Sequence, residues 1–163
     1  MDCSEDGGEI TQPMLLPFDS SSFFDSNTLE LPPFSTKATA EGHEVAEKFC
    51  KAYYETIQKK PHLFSQFYLE TSVMIWDGNP VLGRDQIQKF IEHLPSLTFS
   101  LNAMDTHPAS VLAVGPRKAY FIKIAGMYRV SGPGCQKQFS QDIIVTAEGD
   151  KWRIASDIFR TVN

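Results

Sequence analysis

An α+β fold, in which a strongly bent antiparallel sheet wraps around N-terminal helices, is predicted by three features of the sequence. Apolar residues recur at spacings of three and four before Pro95. They alternate at spacing two over four long segments after it. Tight turns rich in Gly, Asp and Pro separate those segments. Helices followed by a run of strands joined by short turns place the helices on one face of an antiparallel sheet. The 163 residues suit one domain of ordinary size.

Each element follows from a local pattern. Val45, Phe49, Ala52, Tyr53 and Ile57 fall on one helical stripe, with Thr39 as the expected cap and Lys59-Lys60 at the negative end of the helix dipole. Pro61 breaks this helix and opens a short second one over residues 61–67. After Tyr68 a strand carries Val73 and Ile75 alternating with Met74 and Trp76, and Asp77-Gly78-Asn79-Pro80 closes it as a turn. Gly83-Arg84-Asp85 opens a helix bearing Ile87, Phe90, Ile91 and Leu94, which Pro95 stops. Strands are expected over residues 97–106, 118–130, 138–147 and 151–162, with loops at Ser131-Gly132-Pro133-Gly134 and Glu148-Gly149-Asp150.

Charge divides the chain. Residues 1–40 hold seven acids against one lysine, whereas residues 41–163 hold 13 acids and 14 bases, so the net charge of −5 belongs to the N-terminal segment. Residues 1–40 also contain six serines, four threonines and four prolines, with Phe18, Phe23, Phe24 and Phe34 among the acids. This composition predicts an acidic, disordered tail ahead of a domain at 41–163. A plain extension, a docking motif and a segment folding back on its own domain all remain open for it. The nearly neutral body argues against nucleic-acid binding through bulk charge.

Other classes are disfavoured. No apolar run reaches the roughly 18 residues of a membrane span, and no basic-then-apolar leader is evident. Cys3, Cys50 and Cys135 are scattered and odd in number, which suits reduced thiols in an intracellular compartment. His43, His62 and His93 lack Glu or Cys at ligand spacing, so neither a metal nor a cofactor is expected. Asp105 and His107 share a strand face and read either as an acid–base pair or, more simply, as a solvated pair where the strand ends.

Several separate motifs occur in a fixed order: Phe49 to Tyr54, Phe67-Tyr68, Trp76-Asp77-Gly78-Asn79, Gly83, Leu94-Pro95 and Ala155-Ser156-Asp157-Ile158-Phe159-Arg160. Together they resemble the nuclear transport factor 2-like family, from about Glu41 to the C-terminus, and within it the messenger-RNA export branch. The resemblance implies a conical cavity near Trp76, Asp77, Phe67 and Tyr68. It also implies a non-enzymatic protein that forms a heterodimer with the related domain of the large nuclear RNA export receptor and shuttles between nucleus and cytoplasm. Nucleoporin repeats and RNA would be met only through that complex, and a homodimer remains the other arrangement. Lys137-Gln138-Phe139-Ser140-Gln141 is similar to the export branch's Arg/Lys-x-Phe-x-Gln strand, and Asn79 matches its asparagine. Arg160 matches an arginine that pairs with a carboxylate across the heterodimer. The partner-binding set expected from this is Arg160, Phe139, Gln141, Ile143 and Asp157.

Two alternatives stand beside this reading. The import branch of the family binds Ran-GDP through acids around the cavity. Asp77 occupies one such place, yet the loop at residues 131–137 contains no acid and one lysine. The same fold also hosts isomerases and dehydratases, so fold alone does not exclude an enzyme. For Arg160 the competing arrangement is an internal ion pair with Asp157 or another acid of the domain. The aromatics Phe49, Tyr53, Tyr54, Phe67, Tyr68, Trp76, Phe90 and Phe99 read as core, or else as a cavity lining.

Overall fold

The computed structural model describes residues 36–110 and 114–163. Helix α1 spans Thr36–Lys59 and leads through a 3₁₀ segment, Pro61–Phe67, into strand β1, Tyr68–Trp76. Strand β2, Asn79–Leu82, and helix α2, Arg84–His93, follow. The four long strands are β3 Leu97–Pro108, β4 Ala119–Val130, β5 Lys137–Glu148 and β6 Lys151–Val162. They form one open sheet in the order β2-β1-β6-β5-β4-β3.

Helix α1 lies in the concave face of this sheet. Its buried residues are Gly42, Ala46, Phe49, Cys50, Tyr53, Tyr54 and Ile57, which keeps Phe49, Tyr53 and Ile57 of the expected stripe but shifts it around the helix, so that Val45 is half-buried and Ala52 exposed while Ala46, Cys50 and Tyr54 face the sheet. Gly42 lets the helix approach β4, because a Cβ there would stand 2.8 Å from the Tyr120 ring. The inner sheet face supplies Tyr120, Ile122, Ile124, Phe139, Ile143, Val145, Ile154 and Phe159, all nearly sealed from solvent. Each such side chain contributes roughly 1.5–3 kcal/mol of transfer free energy.

Irregular pairing gives the sheet its bend. The β3–β4 register shifts between Leu101 and Ala103, and the β5–β6 register shifts between Ile144 and Val145. Bulges of this kind increase twist and re-aim side chains. One consequence is that Leu97 and Phe99 face inward together with Met104 and Thr106, so the simple alternation through Leu101 and Ala103 does not persist.

Three expectations are corrected. Thr39 lies within α1, which begins at Thr36 and so before the boundary placed at Glu41. Residues 79–82 form a short strand instead of ending in a turn. Pro80 is compatible with it because β2 is an edge strand, where a missing N–H costs nothing. The sheet is not wholly antiparallel, since β1 pairs with β6 in parallel. The tail expected at residues 1–40 falls, up to residue 35, outside the described residues.

Candidate partner interface

The two faces of β5 and β6 have different fates. Asp157, Gln141, Phe139 and Ile143 point inward, each at most 1% exposed. The expectation that these four meet a partner is therefore corrected: α1 covers them, and their side chains are closed to anything on the outer face. On β5 they alternate with Ser140, Asp142 and Ile144 on the other face, and parity alone does not say which face the helix occupies.

What those inward residues build is a buried polar cluster. The Asp157 carboxylate accepts hydrogen bonds from the Tyr68 hydroxyl at 2.6 Å, the Tyr53 hydroxyl at 2.9 Å and the Gln141 amide at 2.7 Å. Tyr54 in turn donates to the Gln141 carbonyl oxygen. One carboxylate thus ties α1, β1 and β5 to β6, with both of its oxygens hydrogen-bonded. Burial pushes the Asp157 carboxyl above its usual range, and the three hydrogen bonds only partly oppose this. Burial, helped by the Asp157 charge, likewise pushes the Cys50 thiol up to about 12. It also holds the Tyr53 and Tyr68 hydroxyls well above the usual phenol value.

The sign of the resulting pH effect follows from which state binds the proton more tightly. A raised native value means the native state holds more protons than the unfolded chain, so stability falls as pH rises from about 4 toward that raised value. Asp157→Asn lacks this titration. Wild type is therefore expected to gain stability relative to Asp157→Asn as buffers are acidified from about pH 7 to below about pH 4, where the contribution is complete, measured by paired thermal melts. A gap that stays constant, or moves the other way, would contradict the assignment.

The four residues expected at one cavity are dispersed. Tyr68 belongs to the buried cluster. Phe67 packs edge-on against Phe49 at 5.6 Å and lines an open groove of about 730 Å³ beside Val45, Ala52 and Trp152. Trp76 stacks on Phe159 at 3.9 Å and 11°. Behind it, Phe159 stacks on Phe139 at 5.1 Å, and Phe99 and Tyr128 close the stack. Aromatic rings thus fill the interior behind Trp76. Asp77 is exposed and accepts hydrogen bonds from the Thr161 N–H at 2.6 Å and the Thr161 hydroxyl at 2.8 Å.

The outer face reads as rows across the sheet. Ile75, Ile158, Asp142, Lys123 and Asp105 stand opposite one another on five strands, and Val73, Ser156, Ile144, Phe121 and His107 form the next row. Arg160, Ser140, Ala125 and Ala103 form a third. Val73, Ile158 and Val162 are 36%, 39% and 43% exposed, an unusual share for aliphatic residues in mid-sheet. Lys123 pairs with Asp142 at 3.1 Å. Asp105 and His107 both lie exposed on this face, and the His107 ring stacks on Phe121 at 5.2 Å. They do not converge on an enclosed site.

Arg160 is exposed at the edge of this apolar surface, and among the described residues no ion pair to it is present. Asp157 is on the opposite face of β6, which removes the internal pair considered for it. The arrangement offers a partner exposed aliphatic side chains on β1 and β6 set among polar ones, one balanced charge pair, the exposed Asp105 and His107 on β3, and a guanidinium that, without an ion pair among the described residues, suits bidentate pairing.

A bent, mostly antiparallel open sheet with an N-terminal helix packed on its inner face and, among the described residues, no element on its outer face defines the class of this domain. Residues 45–161 match the family model described as the nuclear transport factor 2 (NTF2) domain, and the chain belongs to that family. It is 35% identical over 119 residues to NTF2-related export protein 1 of Bos taurus, covering 71% of this chain and 84% of that protein. It is 28% identical to the NTF2-related export protein of Caenorhabditis elegans, covering 72% and 86%. Among solved structures, nuclear transport factor 2 of Cryptosporidium parvum superposes with a TM-score of 0.68 at 21% identity, covering 78% of this chain and 100% of that one. A proposed dehydratase of the NTF2-like family from Streptomyces avermitilis superposes at 0.62 with 12% identity, covering 74% and 95%. These two structural likenesses concern the fold alone.

Proposed function

We propose that this protein is a non-enzymatic nuclear export cofactor that forms a heterodimer, through its outer sheet face, with the related domain of the large nuclear RNA export receptor. Cargo RNA and nucleoporin repeats would be engaged by the complex, which passes between nucleus and cytoplasm. The observation that carries this reading is the outer face itself: aliphatic side chains exposed on the sheet, with Arg160 at their margin and no ion pair to it among the described residues. A sheet apolar on both sides needs a second cover, and a related domain presenting the same kind of face, with a carboxylate opposite Arg160, supplies one. Similarity to proteins named as export factors supports the direction of transport.

An enzyme reading is less favoured. The acid best placed for proton transfer, Asp157, is fully buried and already accepts three hydrogen bonds from hydroxyl and amide donors, with aromatic rings packed across the interior. A general base must reach its substrate. An import role is disfavoured by the acid-free loop at residues 131–137 and by the engagement of Asp77 with Thr161.

Affinity purification of the full chain from cells tests the proposal. A larger protein carrying a related domain is expected at one-to-one stoichiometry. A lone, stable monomer would overturn it. Immobilised Ran loaded with GDP is expected not to retain the chain; retention at roughly micromolar concentration, a specific affinity of about −8 kcal/mol, would favour the import alternative.

A further inference from the structure

Asp77 is the second feature of the chain that the family resemblance leaves ambiguous, and its geometry gives it a definite task. Strand β1 ends at Trp76, paired with Phe159, while β6 runs on to Val162. Beyond that point the side of β6 that faced β1 has lost its partner strand. Asp77 fills the gap. Its own N–H donates to the Phe159 carbonyl oxygen at 2.9 Å. Its carboxylate accepts from the Thr161 N–H and hydroxyl. These contacts lie on either side of Arg160, so Asp77 brackets that residue along the strand.

The turn explains how one side chain achieves this. Asp77 and Gly78 are the two central residues of the β1–β2 hairpin, with φ of 48° and 85°. Positive φ at both positions is the backbone of the two-residue hairpin turns, for which Asp-Gly is a favoured pair. Asn79 steadies the turn by donating to the Trp76 carbonyl oxygen at 3.1 Å. The Arg160 guanidinium passes over Gly78, where an added Cβ would be 3.8 Å from Nη1. Thr161 is held from the other side too, since its hydroxyl lies 3.0 Å from the Tyr128 hydroxyl.

We infer that Asp77 is a positioning residue for partner recognition: it fixes the end of β6 so that Arg160 is presented outward, and its carboxylate is engaged within the chain instead of contacting a cationic partner. No Asp77–Arg160 ion pair is present, so the role depends on hydrogen bonding and not on charge. This inference rests on the heterodimer reading of Arg160, and the experiment separates the two.

Asp77→Ala, Asp77→Asn, Thr161→Val, Arg160→Ala and the Asp77→Ala/Arg160→Ala double variant are titrated against the receptor's purified related domain. Amide hydrogen exchange at Thr161 is measured by NMR on the unbound chains. Asp77→Ala is expected to weaken pairing on the order of tenfold, a coupling ordinary for adjacent groups, and to speed exchange at Thr161. Asp77→Asn keeps an oxygen for the Thr161 N–H and tolerates positive φ, so it should restore both. Thr161→Val, which deletes one of the two bonds, should fall between. In the Arg160→Ala background the Asp77→Ala loss should vanish. Unchanged Thr161 exchange in Asp77→Ala would overturn the inference, as would an undiminished loss in the Arg160→Ala background. Weak pairing by Asp77→Asn would do so as well, because it would mean that the charge itself meets the partner. If Thr161 exchange rises while Arg160→Ala pairs like wild type, it is the heterodimer reading of Arg160 that fails, and the recognition role of Asp77 fails with it.

Discussion

Replacing Gly126 by alanine is expected to destabilise the domain by about 2–3 kcal/mol, the upper range for overpacking a well-filled interior. For a domain of this size that corresponds to a fall of about 10 °C in Tm. Gly126 sits in the middle of β4, opposite Leu101 on β3 and Phe139 on β5. A Cβ there would stand 2.4 Å from the Ser100 carbonyl oxygen, 2.9 Å from the Phe139 ring and 3.2 Å from the Leu101 Cα. Two of those three are backbone atoms, so no rotamer change relieves them. The ring has little freedom either, because Phe139 is enclosed by Tyr54, Phe99, Tyr128 and Phe159. The strands must separate at the β3 bulge, where the sheet turns toward α1. Thermal melting of Gly126→Ala checks this, and a shift of only a degree or two would show that the bend does not depend on so close an approach.

The second large effect concerns binding and should leave stability almost untouched. Arg160 is exposed and forms no ion pair among the described residues, so Arg160→Ala should change the stability of the isolated domain by less than about 0.5 kcal/mol. Truncating one member of a buried charge pair at an interface costs about 2–5 kcal/mol of association. The dissociation constant for the receptor's related domain should therefore rise by about thirtyfold or more. Isothermal titration alongside a melt separates the outcomes. Weakened pairing at unchanged Tm supports the interface. A lowered Tm with unchanged pairing would mean that Arg160 serves its own fold.

The helices and long strands were legible because their apolar spacing is regular: Phe49, Tyr53 and Ile57 on α1, and Phe139, Gln141 and Ile143 on β5, lie where periodicity puts them. Register was not. Pro80 disguised β2, since a proline inside a short run argues against a strand unless that strand is at an edge. Nothing local reveals that β1 and β6 run parallel, because their pairing joins residues about 80 apart. The site was half legible. Arg160, picked out by its place in a motif, lies exposed on the outer face, but the four residues assigned beside it are core, since β5 and β6 carry apolar side chains on both faces. The buried cluster was missed as a unit. Its one signal was parity: Asp157 is two residues from Phe159 on a strand, so an inward Phe159 demanded an inward carboxylate with donors waiting. Tyr53 on the helix, Tyr68 on β1 and Gln141 on β5 were those donors.

The central claim is that the outer face of the sheet is completed by a related domain of another protein. Native mass spectrometry of this chain mixed in equal amounts with the purified nuclear transport factor 2-like domain of the large RNA export receptor tests it most directly. A one-to-one heterodimer is expected to dominate at about micromolar concentration, an ordinary affinity for an interface of standard size, and to be depleted when Arg160→Ala replaces the wild-type chain. A spectrum containing only monomers, or only homodimers of this chain, would contradict the claim.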